Sequence, residues 1–263
     1  MITLLTDFGT TDYFVATMKG VILSVEPDAR IVDITHETPA YDIEAAAFTL
    51  LAAYSYFPIG TIHIAVVDPG VGSARRPILI TSEKYTFIGP DNGLFSYICD
   101  REGSVSVLHL TNDLYFRYPL SSTFHGRDIF APVAGALAGG VEPKMFGNEI
   151  EDYEKLRPLA PLVLDDGSIE ARVLHIDRFG NCITNITPDE LTDELIDRGC
   201  SLKVGETLIR SFRPFFSAAN VTSNEVFGIW GSANFLEIAA CRGSAAFLLG
   251  IERGQRVAVT IAK

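Results

Sequence analysis

The stretch IAVVDPGVGSARRP, residues 64–77, sets a carboxylate and two guanidinium groups close together. A β-branched apolar run, Ile64 to Val67, ends at Asp68, and Pro69, Gly70 and Gly72 then force a turn; this is the pattern of a buried strand delivering a carboxylate to a loop. Arg75 and Arg76 follow within reach. In an open parallel sheet ligands bind beyond the carboxyl ends of strands, so Asp68 stands where chemistry is usually done. A turn aspartate paired with a surface arginine explains the stretch equally well. A second apolar run, Ile2 to Thr6, also stops at an aspartate, Asp7, followed by Gly9. In HIDRFGNCITN, Asp177, Phe179 and Asn181 surround a glycine. An acid, an aromatic face and an amide on one turn suit a purine bearing an amino group, and an Asx-type turn around a buried phenylalanine is the competing reading. His125 lies just before an apolar helix that has Arg127 and Asp128 in its first turn, a place where histidine is more often a cap or loop residue than a catalyst. GSANFLEIAA sets Ser232 and Glu237 around a loop-to-strand transition.

The elements that hold these residues read as alternating strands and helices. Ile2 to Thr6 is a strand, and apolar residues from Phe14 to Val25 recur at helical spacing until Pro27. Arg30 to Thr35 is a second strand, Asp42 caps a helix that Pro58 and Gly60 end, and Thr61 to Val67 is a third strand. This order predicts a mostly parallel sheet covered by helices, with right-handed crossovers. Ile78 to Ser82 and Tyr85 to Ile88 read as a hairpin, GPDNGLF leads into a short helix, and Ser104 to Leu110 is a further strand. A helix then runs from about Ile129 to the glycine pair 139–140. Residues 151–165 read as a linker between an α/β domain, 1–150, and a smaller, mostly β domain, 166–263. In the latter the expected strands are Ile169 to Ile176, Cys182 to Ile186, Ser201 to Val204, Glu206 to Ile209, Ala246 to Leu249 and Arg256 to Ile261, with one helix over Pro188 to Arg198.

Composition narrows the function. Of 263 residues, 48% are hydrophobic and 21% charged, the balance of a globular chain with a sizeable core. A formal net charge of −12 argues against nucleic acid or an anionic membrane as the main partner and suits a small, partly cationic ligand. No apolar run is long enough to span a bilayer, and the N-terminus has no secretory pattern. The four cysteines, without CxxC spacing, read as reduced, packed thiols of a cytoplasmic protein. The sequence carries no GxxxxGK, GxGxxG or GxSxG motif, and its five histidines lack the paired spacing of a zinc site, so no metal or organic cofactor is specified.

Six blocks, TDFGTTDYFVATMKG, DITHETPAYDIEAAAF, VVDPGVGSARRP, GPDNGLF, STFHGRDIFAPVA and IDRFGNCITNI, resemble in sequence and in order those of the S-adenosyl-L-methionine hydroxide adenosyltransferases. These enzymes hydrolyse S-adenosyl-L-methionine to adenosine and L-methionine without a cofactor and are related to the fluorinase and chlorinase. The resemblance covers nearly the whole chain. It implies an α/β N-terminal domain, a barrel-like C-terminal domain and a homotrimer with active sites between subunits. Carried over by motif, the hydrolytic trio falls on Asp68, Arg75 and His125. Asp7 matches the residue that holds the ribose hydroxyls, and Tyr41 the aromatic packed on the substrate. Phe179 and Asn181 match the adenine side, Asp177 falls near the methionine end, and Ser232, Glu237 and the backbone near Ala240 match the remaining contacts more loosely. Which of the trio takes the proton stays open at this level. Two other readings compete: halide attack at the same carbon, and a non-catalytic binder of S-adenosylmethionine or adenosine. The halogenating relatives carry an aromatic in place of Asp68 and lack the histidine of FHGRD, and a carboxylate facing the nucleophile favours water over an anion. An intact trio argues against a binder.

Overall fold

Five consecutive buried residues, Ile2–Thr6, form strand β1, with parallel neighbours on both sides: β2, Ile31–Thr35, and β3, Ile62–Val66. Central parallel strands are covered on both faces and so read as unbroken apolar runs, as ITLLT and IHIAV do. Helix α1, Phe14–Val25, joins β1 to β2; helix α2, Ile43–Ala53, joins β2 to β3. The carboxylate of Asp42 caps α2 by accepting the Ala45 N–H at 3.0 Å. The computed structural model describes residues 1–216 and 223–261, and the chain divides into two compact units, Met1–Arg157 and Pro158–Lys263.

In the first unit β4, Pro77–Thr81, and β5, Thr86–Pro90, form the expected hairpin, and β5 lies parallel to β3. After helix α3, Ser96–Glu102, strand β6, Ser106–Leu110, pairs antiparallel with β4; helix α4, Ala131–Ala138, precedes the edge strand β7, Gly147–Glu149. The sheet order is β2-β1-β3-β5-β4-β6-β7, parallel over its first four strands and antiparallel over the rest. Met18 and Ile22 of α1 and Ala131, Val133 and Ala134 of α4 pack with Ile2, Leu4, Ile64 and Val66 in one core. His63 of β3 meets Tyr54, just past α2, on the sheet's opposite face. Residues 152–156, read from sequence as linker, bind to this unit: Arg76 donates to Asp152, and the backbone N–H groups of Glu154 and Leu156 donate to Asp91 and Ser96.

The second unit is an antiparallel sheet curled toward closure. Its elements are β8, Leu162–Val163; β9, Ile169–Ile176; β10, Cys182–Thr184; α5, Asp193–Asp197; β11, Cys200–Val204; β12, Thr207–Ile209; β13, Val226–Trp230; β14, Leu236–Ala240; α6, Ala245–Leu249; and β15, Arg256–Ile261. The order is β12-β11-β15-β9-β10-β14-β13, with β8 beside β9. Beyond β12 the backbone exchanges hydrogen bonds with Gly228 of β13, through Arg213 N–H at 2.9 Å and Ser211 carbonyl at 2.8 Å, which nearly closes a barrel. The indole N–H of Trp230 reaches Asp193 of α5 at 3.2 Å.

Two sequence expectations in this unit are corrected, and one strand is added. Ala246 to Leu249 is helix α6, because the Ser244 hydroxyl caps it through the Phe247 N–H at 3.1 Å and Gly250, at φ +62°, ends it in the left-handed region. The helix expected over Pro188 to Arg198 starts at Asp193, where the Thr192 side chain provides the cap. β13, Val226–Trp230, is a strand beyond those the sequence predicts.

Candidate functional site

Asp7 follows β1 directly, and Asp68 follows β3 after one residue, Val67. Because β1 and β3 pair in parallel with Thr6 beside Val66, both carboxylates emerge at the same edge of the sheet. This is the edge where parallel sheets bind ligands. Asp7 Oδ2 accepts the Tyr41 N–H at 2.8 Å, holding Tyr41 in the left-handed region at φ +65°, with its ring 74% exposed.

Asp68 and Arg75 form a two-point pair. Arg75 Nε donates to Asp68 Oδ1 at 2.9 Å, and Arg75 Nη2 donates to Asp68 Oδ2. Nη2 also donates to His125 Nδ1 at 2.9 Å, so the three side chains are linked in one chain of hydrogen bonds. The pair is desolvated, with side chains 5% (Asp68) and 8% (Arg75) exposed. Arg75 Nη1 is buried and has no hydrogen-bond partner among the described residues. Phe130 lies against the guanidinium, 5.4 Å from its ring centroid. Gly72, at φ +78°, lets the Asp68 loop approach the His125 loop closely: a Cβ there would stand 2.2 Å from the Ser122 carbonyl oxygen.

His125 enters through a feature that the sequence does not disclose. Residues Gly126–Phe130 form one π-helical turn ahead of α4, with His125 at its N-cap and Phe130 as its last residue. The turn thus delivers both the imidazole and the ring beneath Arg75. π-turns are rare and cluster at functional sites. Its anchor is Asp128, fully buried, whose carboxylate accepts from Arg127 Nε at 2.7 Å and from the Ser121 N–H at 2.9 Å. Arginine has no acceptor, so His125 Nδ1 must be the acceptor and the neutral ring carries its proton on Nε2. Burial, then the neighbouring Arg75 charge, lowers the His125 pKa below its usual value.

In the second unit Asp177, Phe179 and Asn181 share one turn. Asp177 Oδ1 accepts from the N–H groups of Phe179 at 2.9 Å and Asn181 at 2.8 Å, while Oδ2 accepts from Asn181 Nδ2 at 2.9 Å. Asp177 therefore closes an Asx-type turn, as one sequence reading held, but Phe179 is 76% exposed rather than buried. Gly180, at φ +83°, allows α6 to pack on the turn: an added Cβ would overlap Ser244. Phe179, Asn181 and Ala240 line a cavity of about 470 Å³ together with Phe216, Arg242 and Gly243. Arg242, at φ +52°, carries no sequence signal of a site, since an arginine between a strand and Gly-Ser is an ordinary loop pattern. Ser232 comes just after β13. Glu237 on β14 is buried against Gly231, and desolvation, then the charge of Asp177, pushes its pKa up to about 7.

Comparison with known proteins bears on both units. The model of the SAM hydroxide adenosyltransferase N-terminal domain matches residues 2–147, and that of the C-terminal domain matches residues 171–258. The chain is similar to the (R)-S-adenosyl-L-methionine hydrolase of Methanocaldococcus jannaschii, 37% identical over 96% of this chain and 92% of that one. It is 38% identical to the enzyme of that name from Thermus thermophilus, over 96% of each. A fluorinase of Actinopolyspora mzabensis is more distant, at 25% identity over 99% of this chain and 97% of the fluorinase. Among solved structures, an uncharacterized conserved protein from Thermotoga maritima superposes with a TM-score of 0.90 at 33% identity, covering 98% of this chain and 99% of that one.

Proposed function

The chain belongs to the SAM hydroxide adenosyltransferase family, and from that premise we propose that it hydrolyses S-adenosyl-L-methionine to adenosine and L-methionine. The observation that carries this reading is the hydrogen-bonded Asp68, Arg75 and His125 at the carboxyl end of β3. In the reaction a water oxygen forms a bond to the ribose 5′ carbon, and the carbon–sulfur pair leaves with methionine as a neutral thioether. Such a leaving group needs no acid. The protein's task is to hold the water in line and take its proton, and orientation of this kind is worth on the order of 7 to 11 kcal/mol.

The trio divides that task. Arg75 Nη1 donates to the oxygen that acquires hydroxide character. His125, bound through Nδ1, offers Nε2–H as a second donor and has no lone pair free to act as base. Asp68 is left as the proton acceptor, with a second lone pair on each oxygen beyond those that Arg75 occupies. The carboxylate also disfavours a halide in the same place. Asp7 holds the ribose hydroxyls, Tyr41 packs on the substrate, and Phe179 and Asn181 bind adenine. Asp177, Ser232, Glu237 and Ala240 complete the methionine and adenine contacts. The family resemblance implies a homotrimer in which substrate bridges the first unit of one subunit and the second unit of the next, and the exposed Tyr41 and Phe179 rings are free to make such contacts. Among the described residues no helix is long and apolar enough to cross a membrane, and the acidic chain suits a cytoplasmic enzyme acting on a cationic small molecule.

Chromatography of the protein incubated with S-adenosyl-L-methionine, with and without high chloride, tests the reading. Adenosine and methionine should form in equal amounts irrespective of chloride. A chloride-dependent 5′-chloro-5′-deoxyadenosine peak would establish the halogenase, and unchanged substrate the binder.

A further inference from the structure

Two consecutive residues after β5, Asp91 and Asn92, grip the loop that carries Asp68 and Arg75 at both of its ends. At the start, Asn92 Nδ2 donates to the carbonyl of Val67, the residue before Asp68, at 2.9 Å. The Asn92 Oδ1 atom accepts the Leu94 N–H at 3.2 Å, which fixes the amide with its donor toward Val67. At the finish, the Asp91 N–H donates to the carbonyl of Arg76, the residue after Arg75, at 2.9 Å. The side chains repeat the contact, with Arg76 Nε donating to Asp91 Oδ2 at 2.9 Å. Asp91 is itself buried, and its Oδ1 accepts the Glu154 N–H at 2.8 Å. Arg76 is held from the other side by the Asp152 carboxylate and carbonyl, each at 2.7 Å.

The loop needs such a grip. Its internal backbone bonds, Val71 N–H to Asp68 carbonyl at 3.2 Å and Ser73 N–H to Gly70 carbonyl at 3.1 Å, fold it locally without tying its ends together. Gly70 and Gly72 give its backbone freedom that other residues would not. β3 and β5 run parallel with Ile64 beside Ile88, so the two loops leave the sheet side by side, and the gripping loop is itself rooted in the sheet.

We propose that Asp91 and Asn92 are positioning residues that set where the Asp68 carboxylate and the Arg75 guanidinium stand relative to the attacking water. Neither touches the trio's polar atoms, so they act through the backbone on each side of it. This proposal rests on the hydrolase reading above. A displacement of about 1 Å in a catalytic group costs on the order of a hundredfold in rate, so losing either grip should appear in turnover before it appears in substrate binding.

The test compares kcat, KM and melting temperature of the full chain in Asn92→Asp, which keeps the size but removes the donor, and in Asp91→Asn. Tyr54→Phe is the control, since it deletes a hydrogen bond to Glu102, 2.7 Å long, elsewhere in the same unit. Both grip variants should lower kcat by about ten- to a hundredfold with KM changed by less than about threefold, while Tyr54→Phe keeps wild-type kcat even where it melts earlier. Wild-type kcat in the grip variants, or a lower kcat matched by a KM raised to the same degree, or a control that loses kcat as much as the grip variants do, would overturn the proposal. If Asn92→Asp does not fold, Asn92→Ala, which removes the donor without adding charge, is read in the same way; failure of all three to fold assigns the pair to stability alone. A wild-type protein that makes no adenosine defeats the hydrolase reading, whereas an active wild type with indifferent variants defeats only the grip.

Discussion

Acidifying the protein from pH 7.5 to 4.5 should remove most of the stability that depends on His63 remaining neutral. His63 sits on β3, fully buried, with the Thr3 hydroxyl 2.7 Å from Nδ1. Its ring stacks on Phe87 at 5.2 Å and meets Tyr54, Phe57 and Tyr85 nearby. Burial in this aromatic box pushes its pKa from 6.5 down to about 4. Between those two values the unfolded chain binds a proton that the folded chain refuses, so stability rises with pH across that window. It is complete above 6.5 and fully lost below about 4. At about 1.4 kcal/mol for each tenfold change in proton affinity, the difference comes to about 3 kcal/mol, a large part of a typical domain's 5–15 kcal/mol. His63→Phe suits the box but cannot titrate, and it leaves the buried Thr3 hydroxyl without its partner, at a cost of about 1–3 kcal/mol. Guanidinium unfolding followed by far-ultraviolet circular dichroism should therefore find wild type the more stable at pH 7.5, with the gap closed or reversed at pH 4.5. Other titrating groups cancel in the difference between the two proteins. A gap that stays constant with pH would refute the reasoning.

Three further expectations concern the site. Asp68→Asn should lower single-turnover hydrolysis by about a hundredfold or more while calorimetric affinity for S-adenosyl-L-methionine changes little; lost binding with unchanged turnover would make Asp68 a substrate holder. Because it also strips a buried guanidinium of its counter-charge, the same variant should lose about 3–5 kcal/mol of stability. Tyr41→Gly keeps the backbone bond to Asp7 and relieves a left-handed non-glycine residue, so the variant should melt no earlier than wild type yet bind substrate more weakly; unchanged affinity would show that the ring is not a contact. Glu237, raised to about 7, is neutral below that pH and a carboxylate above it. Affinity for the sulfonium substrate should accordingly rise from pH 6 to pH 8 in wild type and lose that rise in Glu237→Gln, and an identical slope in the two proteins would exclude Glu237 as the cause.

The parts of the fold written in local chemistry were legible beforehand. β1 and β3 are apolar runs stopped by aspartates, α2 has its Asp42 cap, and the two short β runs either side of residues 83–84 mark the hairpin. α6 reads as a strand although its cap and stop are present in the sequence, because GSAAFLLG is short and its apolar run has no helical spacing to distinguish it. β13, VFGIW, has no local signal, since its partner β14 and the bridging residue Phe212 are what make it a strand, and such pairing is non-local. At the site, Asp68 and Arg75 are near neighbours in sequence, so their pairing could be anticipated. The bond from Arg75 to His125 spans 50 positions and depends on a π-turn that no local pattern announces. Motif resemblance named His125, while its tautomer came only from knowing which atom faces an arginine. The grip by Asp91 and Asn92 was hidden because turn-forming residues look alike whether they close their own loop or hold another.

Trp230 is the sole tryptophan of the chain, and its indole is hydrogen bonded to Asp193 within the second unit. Intrinsic fluorescence excited at the indole band therefore reports on that unit alone, whereas circular dichroism sees helices that belong mainly to the first. With the two signals recorded in one denaturant titration, the protein carries its own pair of reporters for whether its halves unfold as one body or in succession.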